Sequence, residues 1–259
     1  MKNCLSGDKF GNLLFVNVRI GDAEIVALFD TGAVMTVIAK SLLEATGVTE
    51  ENESLGAGNN GGFVRTLHTA SISDMRIGDV CINKLKAVVT EDSDFDINDD
   101  DGTAFPAKML LGWDVISRFS WSYSANDGAL TVGASERTDS RLNSDTENCP
   151  VAFPEYFGCR FKAGIDTGHT GSMLGAVWKD RLSDIEYHEV EIAGIGSSQN
   201  VSAPYVKTLP LLFQNHLITL RDVDICDKIY GRSADTEALL GYDFLEGRDW
   251  QLDWEFRLP

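Results

Sequence analysis

Residues Ala27 to Ile38 read ALFDTGAVMTVI: an apolar run, one carboxylate at Asp30, a glycine-containing turn and a second apolar run. Strand-like residues on both sides place Asp30 where a strand ends and the chain turns. Residues Ala163 to Leu174, AGIDTGHTGSML, repeat this arrangement with Asp166 ahead of Thr167 and Gly168. A given tripeptide arises by accident in roughly one chain in twenty of this length, so a single copy says little. Two copies in matching surroundings say much more.

Upstream, Leu13 to Ile20 and Glu24 to Phe29 flank Gly21-Asp22, a hairpin pattern that delivers Asp30 to its turn. Downstream, Val34 to Ile38 is expected to leave as another strand. Ala39 to Thr46 holds good helix formers and stops at Gly47, which predicts a short helix. Glu51 to Arg65, ENESLGAGNNGGFVR, is rich in glycine and asparagine and reads as a loop or open hairpin. Two strands are expected at Leu67 to Ile77 and Cys81 to Thr90, with Gly78-Asp79 between them. Met109 to Phe119, MLLGWDVISRF, then predicts a short strand and a helical turn.

The second half echoes these features. Ala238 to Leu245, ALLGYDFL, repeats Leu-Leu-Gly, an aromatic residue and Asp, and a strand pair is expected after each copy, at Trp121 to Val132 and Trp250 to Leu258. Ile192 to Ser198, IAGIGSS, follows Asp166 at nearly the interval at which Leu55 to Gly62 follows Asp30. Ala134 to Pro150 is polar and aperiodic, which predicts a linker between two halves at 1–133 and 151–259.

Composition narrows the partners. Forty acidic against twenty-two basic residues give a formal charge of -18, which repels phosphate backbones and anionic lipid, so neither nucleic acid nor a membrane is expected as a partner. The five cysteines (Cys4, Cys81, Cys149, Cys159, Cys226) show no CxxC pair and no metal-ligand spacing with the four histidines, and free thiols are expected. MKNCLSGDKFGN lacks the apolar core of a secretory signal, and no apolar run reaches about 18 residues. The expectation is a cytoplasmic protein.

Several other chemistries find no support in the sequence. His68, His188 and His216 lack a Ser-Gly or Cys-Gly nucleophile elbow, and no HExxH cluster or phosphate loop is present. Asp92, Asp94 and Asp96 imitate the start of a calcium loop, but Ile97 stands where the required Gly would be and Thr103 where the Glu would be, so Glu91 to Gly102 reads as a solvated acidic loop. Asp114 and Asp243 form a rival repeated pair two residues beyond each Leu-Leu-Gly, where helix capping is expected. The five tryptophans are assigned to packing.

The succession strand, Asp-Thr-Gly-Ala, strand, helix, glycine-rich hairpin, strands, Leu-Leu-Gly and short helix resembles one subunit of the retroviral-type, retropepsin-like aspartic proteases. The chain looks like two such subunits joined, with the first the more regular. The resemblance implies an all-β, bilobal fold, two closed β-barrel lobes related by pseudo-twofold symmetry and carrying short helices. It implies that Asp30 and Asp166 are the catalytic pair of an endopeptidase acting on a peptide or protein, with no cofactor and no metal. It implies that Thr31 and Thr167 bond across beneath the pair, that Gly32 and Gly168 permit close approach, and that the Leu-Leu-Gly segments brace the turns. Flaps would fall on Leu55, Gly56, Ala57, Gly58, Gly61 and Gly62 and on Gly194, Ile195, Gly196, Ser197 and Ser198. With both aspartates in one chain, a monomer with an internal pseudo-dimer is expected.

Two carboxylates about 3 Å apart share a proton, so one can act as base while the other donates. The second turn departs from the family pattern, with His169 where the first has Ala33. An imidazole there either perturbs Asp166 or turns away into solvent or a backbone hydrogen bond. The competing reading is a catalytically silent protein of the same fold that binds a peptide or partner in its cleft. A third is a self-processing protease with a single target.

Overall fold

Alternation of apolar and polar residues builds the first hairpin. In FVNVRI the inward residues Val16, Val18 and Ile20 are buried while Asn17 and Arg19 face solvent. Ile20 pairs with Ala23 across a two-residue loop, and Gly21 meets its geometry with φ 58°. In the computed structural model, residues 3–4, 10, 12–58, 64–98, 101–133, 148–194, 197–229, 232–253 and 255–259 are described. Residues 134–147 of the linker expected at 134–150, together with Gly61, Gly62, Ile195, Gly196 and Trp254, lie outside them.

In chain order the first half holds β1 (Asn3–Cys4), β2 (Phe15–Ile20), β3 (Ala23–Phe29), β4 (Val37–Ala39), α1 (Lys40–Thr46), β5 (Glu50–Gly58), β6 (Val64–Ile72), β7 (Met75–Ile77), β8 (Val80–Ile82), β9 (Leu85–Thr90), β10 (Met109–Leu111), α2 (Trp113–Ile116), β11 (Trp121–Ser124) and β12 (Ala129–Val132). The second half holds β13 (Val151–Ala152), β14 (Glu155–Tyr156), β15 (Cys159–Arg160), β16 (Ala163–Ile165), β17 (Met173–Gly175), β18 (Ile185–Gly194), β19 (Ser197–Phe213), β20 (His216–Cys226), β21 (Ala238–Leu240), α3 (Tyr242–Leu245), β22 (Trp250–Leu252) and β23 (Phe256–Arg257).

The fold is all-β and bilobal, and one strand path occurs twice. The order β5-β6-β9-β4-β10-β3 in one sheet matches β18-β19-β20-β17-β21-β16 in the other. Orientations match as well: β10 runs parallel to β3 and antiparallel to β4, and β21 runs parallel to β16 and antiparallel to β17. Likewise β4 runs parallel to β9, and β17 to β20. A third sheet, β1-β12-β11-β22-β23, draws on both halves through Trp121↔Leu252 and Tyr123↔Trp250.

Beneath that shared sheet lies an aromatic cluster. Phe29, the residue before Asp30, packs edge-on to Trp121 with ring centroids 4.8 Å apart and lies 6.2 Å from Trp250, while Tyr123 stacks on Trp250 at 5.6 Å. Such pairs add about 1 kcal/mol each beyond area burial. The Asp30 turn is therefore seated on side chains from both halves. Trp113, Trp121, Trp178 and Trp250 are all buried, as expected of packing residues.

Local differences from the sequence reading have identifiable causes. The strand expected from Val34 is only Val37–Ala39, and Val34 is exposed, because the Ala33 and Val34 carbonyls accept the Trp113 and Asp114 N–H groups of α2. The two strands expected between Leu67 and Thr90 are four, since the chain breaks at Ser73-Asp74 and Asn83-Lys84 and β7 crosses to pair with β2. The long β19–β20 hairpin turns through Gln214 and Asn215, both at positive φ (49° and 69°). Gln-Asn is a weak turn signal, so this hairpin was not anticipated.

The acidic segment proves to be a clamp. Asp92 accepts the Ser41 N–H (2.9 Å) and the Ser41 hydroxyl, serving the open N-terminus of α1 from a distant segment, and Asp96 pairs with Lys108 (3.0 Å). Asp94 forms a two-pronged pair with Arg65 of β6 (2.6 and 3.1 Å) and accepts the Thr90 hydroxyl. All three carboxylates that imitate a calcium loop are thus engaged by side chains.

Candidate active site

Asp30 and Asp166 each stand one residue past a central strand, β3 and β16. The Asp30 N–H donates to Leu111 O (3.0 Å) and the Asp166 N–H to Leu240 O (2.8 Å), so the Leu-Leu-Gly strands β10 and β21 fix where each strand ends. Each carboxylate closes its own turn: Asp30 Oδ1 accepts from Gly32 N (2.8 Å) and Ala33 N (2.9 Å), and Asp166 Oδ1 accepts from Gly168 N (3.0 Å). Both copies are thus Asx turns, in which a carboxylate caps the backbone two residues on.

The two turns also face each other. A methyl group added to Gly32 would overlap the Asp166 carboxylate, and one added to Gly168 would overlap that of Asp30. Each carboxylate thus rests against the other turn's glycine. Beneath them, Thr31 N donates to Thr167 Oγ1 (3.1 Å) and Thr167 N to Thr31 Oγ1 (3.0 Å). The hydroxyls pass their own protons onward, Thr31 Oγ1 to Ile165 O (2.8 Å) and Thr167 Oγ1 to Phe29 O (2.6 Å). Both threonines are buried, so each of these four bonds satisfies groups that water does not reach.

Electrostatics follows from the approach. Burial first, and then the charge of Asp166, push the Asp30 carboxyl up to about 7, against the opposing pull of the Ala33 and Gly32 N–H groups and of Arg232. Arg232 belongs to no motif in the sequence. Its side chain is 3% exposed, its Nη2 donates to Gly32 O (2.9 Å), and the same nitrogen lies 3.8 Å from Asp166 Oδ2. It sits in an aperiodic segment ahead of β21, where nothing signals a buried cation.

A second repeated frame holds the turns from behind. Asp114 accepts from Thr36 N (2.9 Å) and Oγ1 (2.8 Å), and Asp243 from Ser172 N (3.1 Å) and Oγ (2.6 Å). The same hydroxyls accept from Gly112 N (3.2 Å) and Gly241 N (3.0 Å). Capping was expected of Asp114 and Asp243, but Gly112 and Gly241 occupy the N-cap positions, with no side-chain cap bond on either helix. The aspartates instead tie each helix to the segment following its Asp-Thr-Gly turn. Burial raises both carboxyls, that of Asp114 to about 6. Each of these hydroxyls, Thr36 and Ser172, stands six residues past the aspartate of its Asp-Thr-Gly turn.

His169 turns its ring away from the pair, Nδ1 bonding Gly171 O, one of the two orientations foreseen. Its carbonyl accepts Tyr242 N–H (2.7 Å), just as the Ala33 carbonyl accepts Trp113 N–H (2.7 Å). Of the expected flap residues, Leu55, Gly56, Ala57 and Gly58 lie at the end of β5 paired with β6, and Gly194 pairs with Ser197, and Ala193 with Ser198, across β18–β19. Among the described residues, no group of three or more His, Cys, Asp or Glu side chains is arranged to hold a metal ion. Nor is any helix among them long and apolar enough to cross a membrane.

The aspartyl protease family model matches residues 16–115, the segment that carries the Asp30 turn and the first Leu-Leu-Gly. Among solved structures, a retropepsin-like aspartic protease from Rickettsia conorii is similar at 16% identity, with 53% of this chain and 92% of that chain covered and a TM-score of 0.35. No curated protein matches the sequence.

Proposed function

We propose that the chain is an aspartic endopeptidase of the retropepsin-like kind, made of two fused lobes at 1–133 and 151–259 joined by residues 134–150, with Asp30 and Asp166 as its catalytic pair. The observation that carries this reading is the reciprocal seating of the two carboxylates, each against the other turn's glycine. Like charges this close favour sharing one proton, and the raised Asp30 carboxyl agrees with that. The ionised member takes a proton from water as the water attacks a peptide carbonyl, and the protonated member donates to the carbonyl oxygen. The chemistry is complete with these two side chains and needs no cofactor.

In this reading the hairpins ending at Gly58 and Gly194 are flaps that offer main-chain bonds to an extended peptide. A monomer suffices, because both aspartates belong to one chain. The test is cleavage of a diverse peptide library and of proteins from the source organism between acid and neutral pH. Cleavage by the native chain with loss in both Asp30→Asn and Asp166→Asn is the expected result. Absence of cleavage in every condition sinks the proposal in favour of a silent peptide-binding protein.

A further inference from the structure

We propose that Arg232 is a positioning residue that makes the aspartate pair unequal: it keeps the negative charge on Asp166 and leaves the shared proton on Asp30. This deepens the hydrolytic reading and rests on it. The guanidinium is almost wholly removed from water, and a buried cation is tolerable only beside an anion. Asp166, itself 7% exposed at the side chain, lies 3.8 Å from it. The bond from Arg232 to Gly32 O fixes the guanidinium against the first turn, so one side chain spans both halves of the site. Arg232 also runs beside Gly164, two residues before Asp166: a methyl group there would lie at ordinary contact distance, 3.5 Å, from Arg232 Nε.

Among the described residues of the first half, no Lys or Arg is paired with Asp30 as Arg232 is with Asp166. In the segment ahead of β10, the cation is Lys108, which pairs with Asp96 (3.0 Å). Other charges near the pair are committed elsewhere: His169 to Gly171 O, Asp114 to Thr36, Asp243 to Ser172, and Lys162 to Asp235. The asymmetry therefore comes from Arg232.

It assigns the roles in each step. Asp166 accepts a proton from the attacking water as the oxygen bonds to the carbonyl carbon, and Asp30 gives its proton to the carbonyl oxygen, producing a gem-diol. On collapse the C–N bond breaks, the leaving nitrogen takes the proton from Asp166, and a diol hydroxyl returns its proton to Asp30. One water is consumed and the pair is restored.

The test is 13C NMR of aspartate-labelled protein across pH, with the two carboxyl signals assigned from Asp30→Asn and Asp166→Asn. In the native chain the Asp30 carbon should move through nearly its full range in the upper titration step, with Asp166 almost still. In Arg232→Gln both carbons should move by about half in each of two steps, and Arg232→Lys should restore the native pattern. Equal sharing in the native chain overturns the proposal on its own, whether or not the variant folds, and so does an unchanged pattern in folded Arg232→Gln. In the kinetic arm, both limbs of the kcat/KM profile should rise by about one pH unit in Arg232→Gln, the usual influence of a cation at this distance. A merely structural role would lower kcat without moving the limbs. The carbon shifts need no turnover, so a native chain that cleaves nothing defeats the hydrolytic reading while the charge placement is judged separately.

Discussion

Replacing Thr31 by Val isolates the crossed hydrogen bonds beneath the aspartates, because valine keeps the shape and removes only the hydroxyl. Two buried groups lose their partners: Ile165 O loses its donor and Thr167 N its acceptor. An unsatisfied buried polar group costs roughly 1 to 3 kcal/mol, so Thr31→Val should destabilise the fold by about 2 to 6 kcal/mol. Thr31→Ser keeps the hydroxyl and loses one buried methyl, for a cost of about 1 kcal/mol. Since total stability is typically about 5 to 15 kcal/mol, the first change should be plain in equilibrium urea unfolding and the second modest.

The mirror-related change strengthens the test. Thr167→Val orphans Phe29 O and Thr31 N, a set of groups distinct from those lost in Thr31→Val. The two hydroxyls also lie 3.4 Å apart, so the double variant should depart from the sum of the two, and the difference measures their coupling. If Thr31→Val proves no worse than Thr31→Ser, the hydroxyl network contributes nothing beyond packing, and the account of how the turns are locked together is wrong.

Other perturbations follow from the same geometry. A methyl at Gly112 would sit 2.6 Å from Met35 O and 2.7 Å from Thr36 N, and one at Gly241 would sit 2.8 Å from His169 O, all backbone atoms, so Gly112→Ala and Gly241→Ala should each destabilise by more than about 2 kcal/mol in urea unfolding. The Asp114 carboxyl is raised from 3.8 to about 6 by burial, so its contribution is full below pH 3.8 and is lost as pH climbs through 6; Asp114→Asn, whose amide oxygen can still accept from Thr36, should flatten the fall in stability between pH 4 and 7 by roughly 2 kcal/mol, and an unchanged slope would exclude this group as its source. Asp94→Asn leaves Arg65 without its anion and should cost about 1 to 3 kcal/mol, less than a fully buried pair because Arg65 is 41% exposed; faster amide exchange should appear in the β5–β6 hairpin.

The turns, the Leu-Leu-Gly strands and the terminal strand pairs were legible because each depends on local residue type and recurs along the chain. What escaped was non-local. Asp114 looked like a cap from its position at a helix start, and only the fold brings Thr36 beneath it. Arg232 carries no local pattern, since its place is defined by Asp166 and by the carbonyl of Gly32, 200 residues away in sequence. The acidic stretch was read as solvated because charge density alone does not reveal that Ser41, Arg65 and Lys108 converge on it.

The irregular residue of the second turn also looks different once its backbone is followed. Position 33 in the first half and position 169 in the second contribute a carbonyl, not a side chain, to the frame: each accepts an N–H from the aromatic residue after Leu-Leu-Gly. Ala and His make that bond equally well, so the substitution leaves the turn intact, and the His169 ring is tied to Gly171 O. The positions whose side chains do the bonding are matched in kind across the halves: Asp30 with Asp166, Thr31 with Thr167, Thr36 with Ser172, and Asp114 with Asp243. Departures between the halves thus fall where the frame does not use a side chain. In a pair of identical subunits any change at such a position would appear on both sides of the site, whereas a single chain can place a buried arginine on one side alone. In the proposal made above, asymmetry of the pair follows from having both turns in one chain, and Arg232, 3.8 Å from Asp166, is its source.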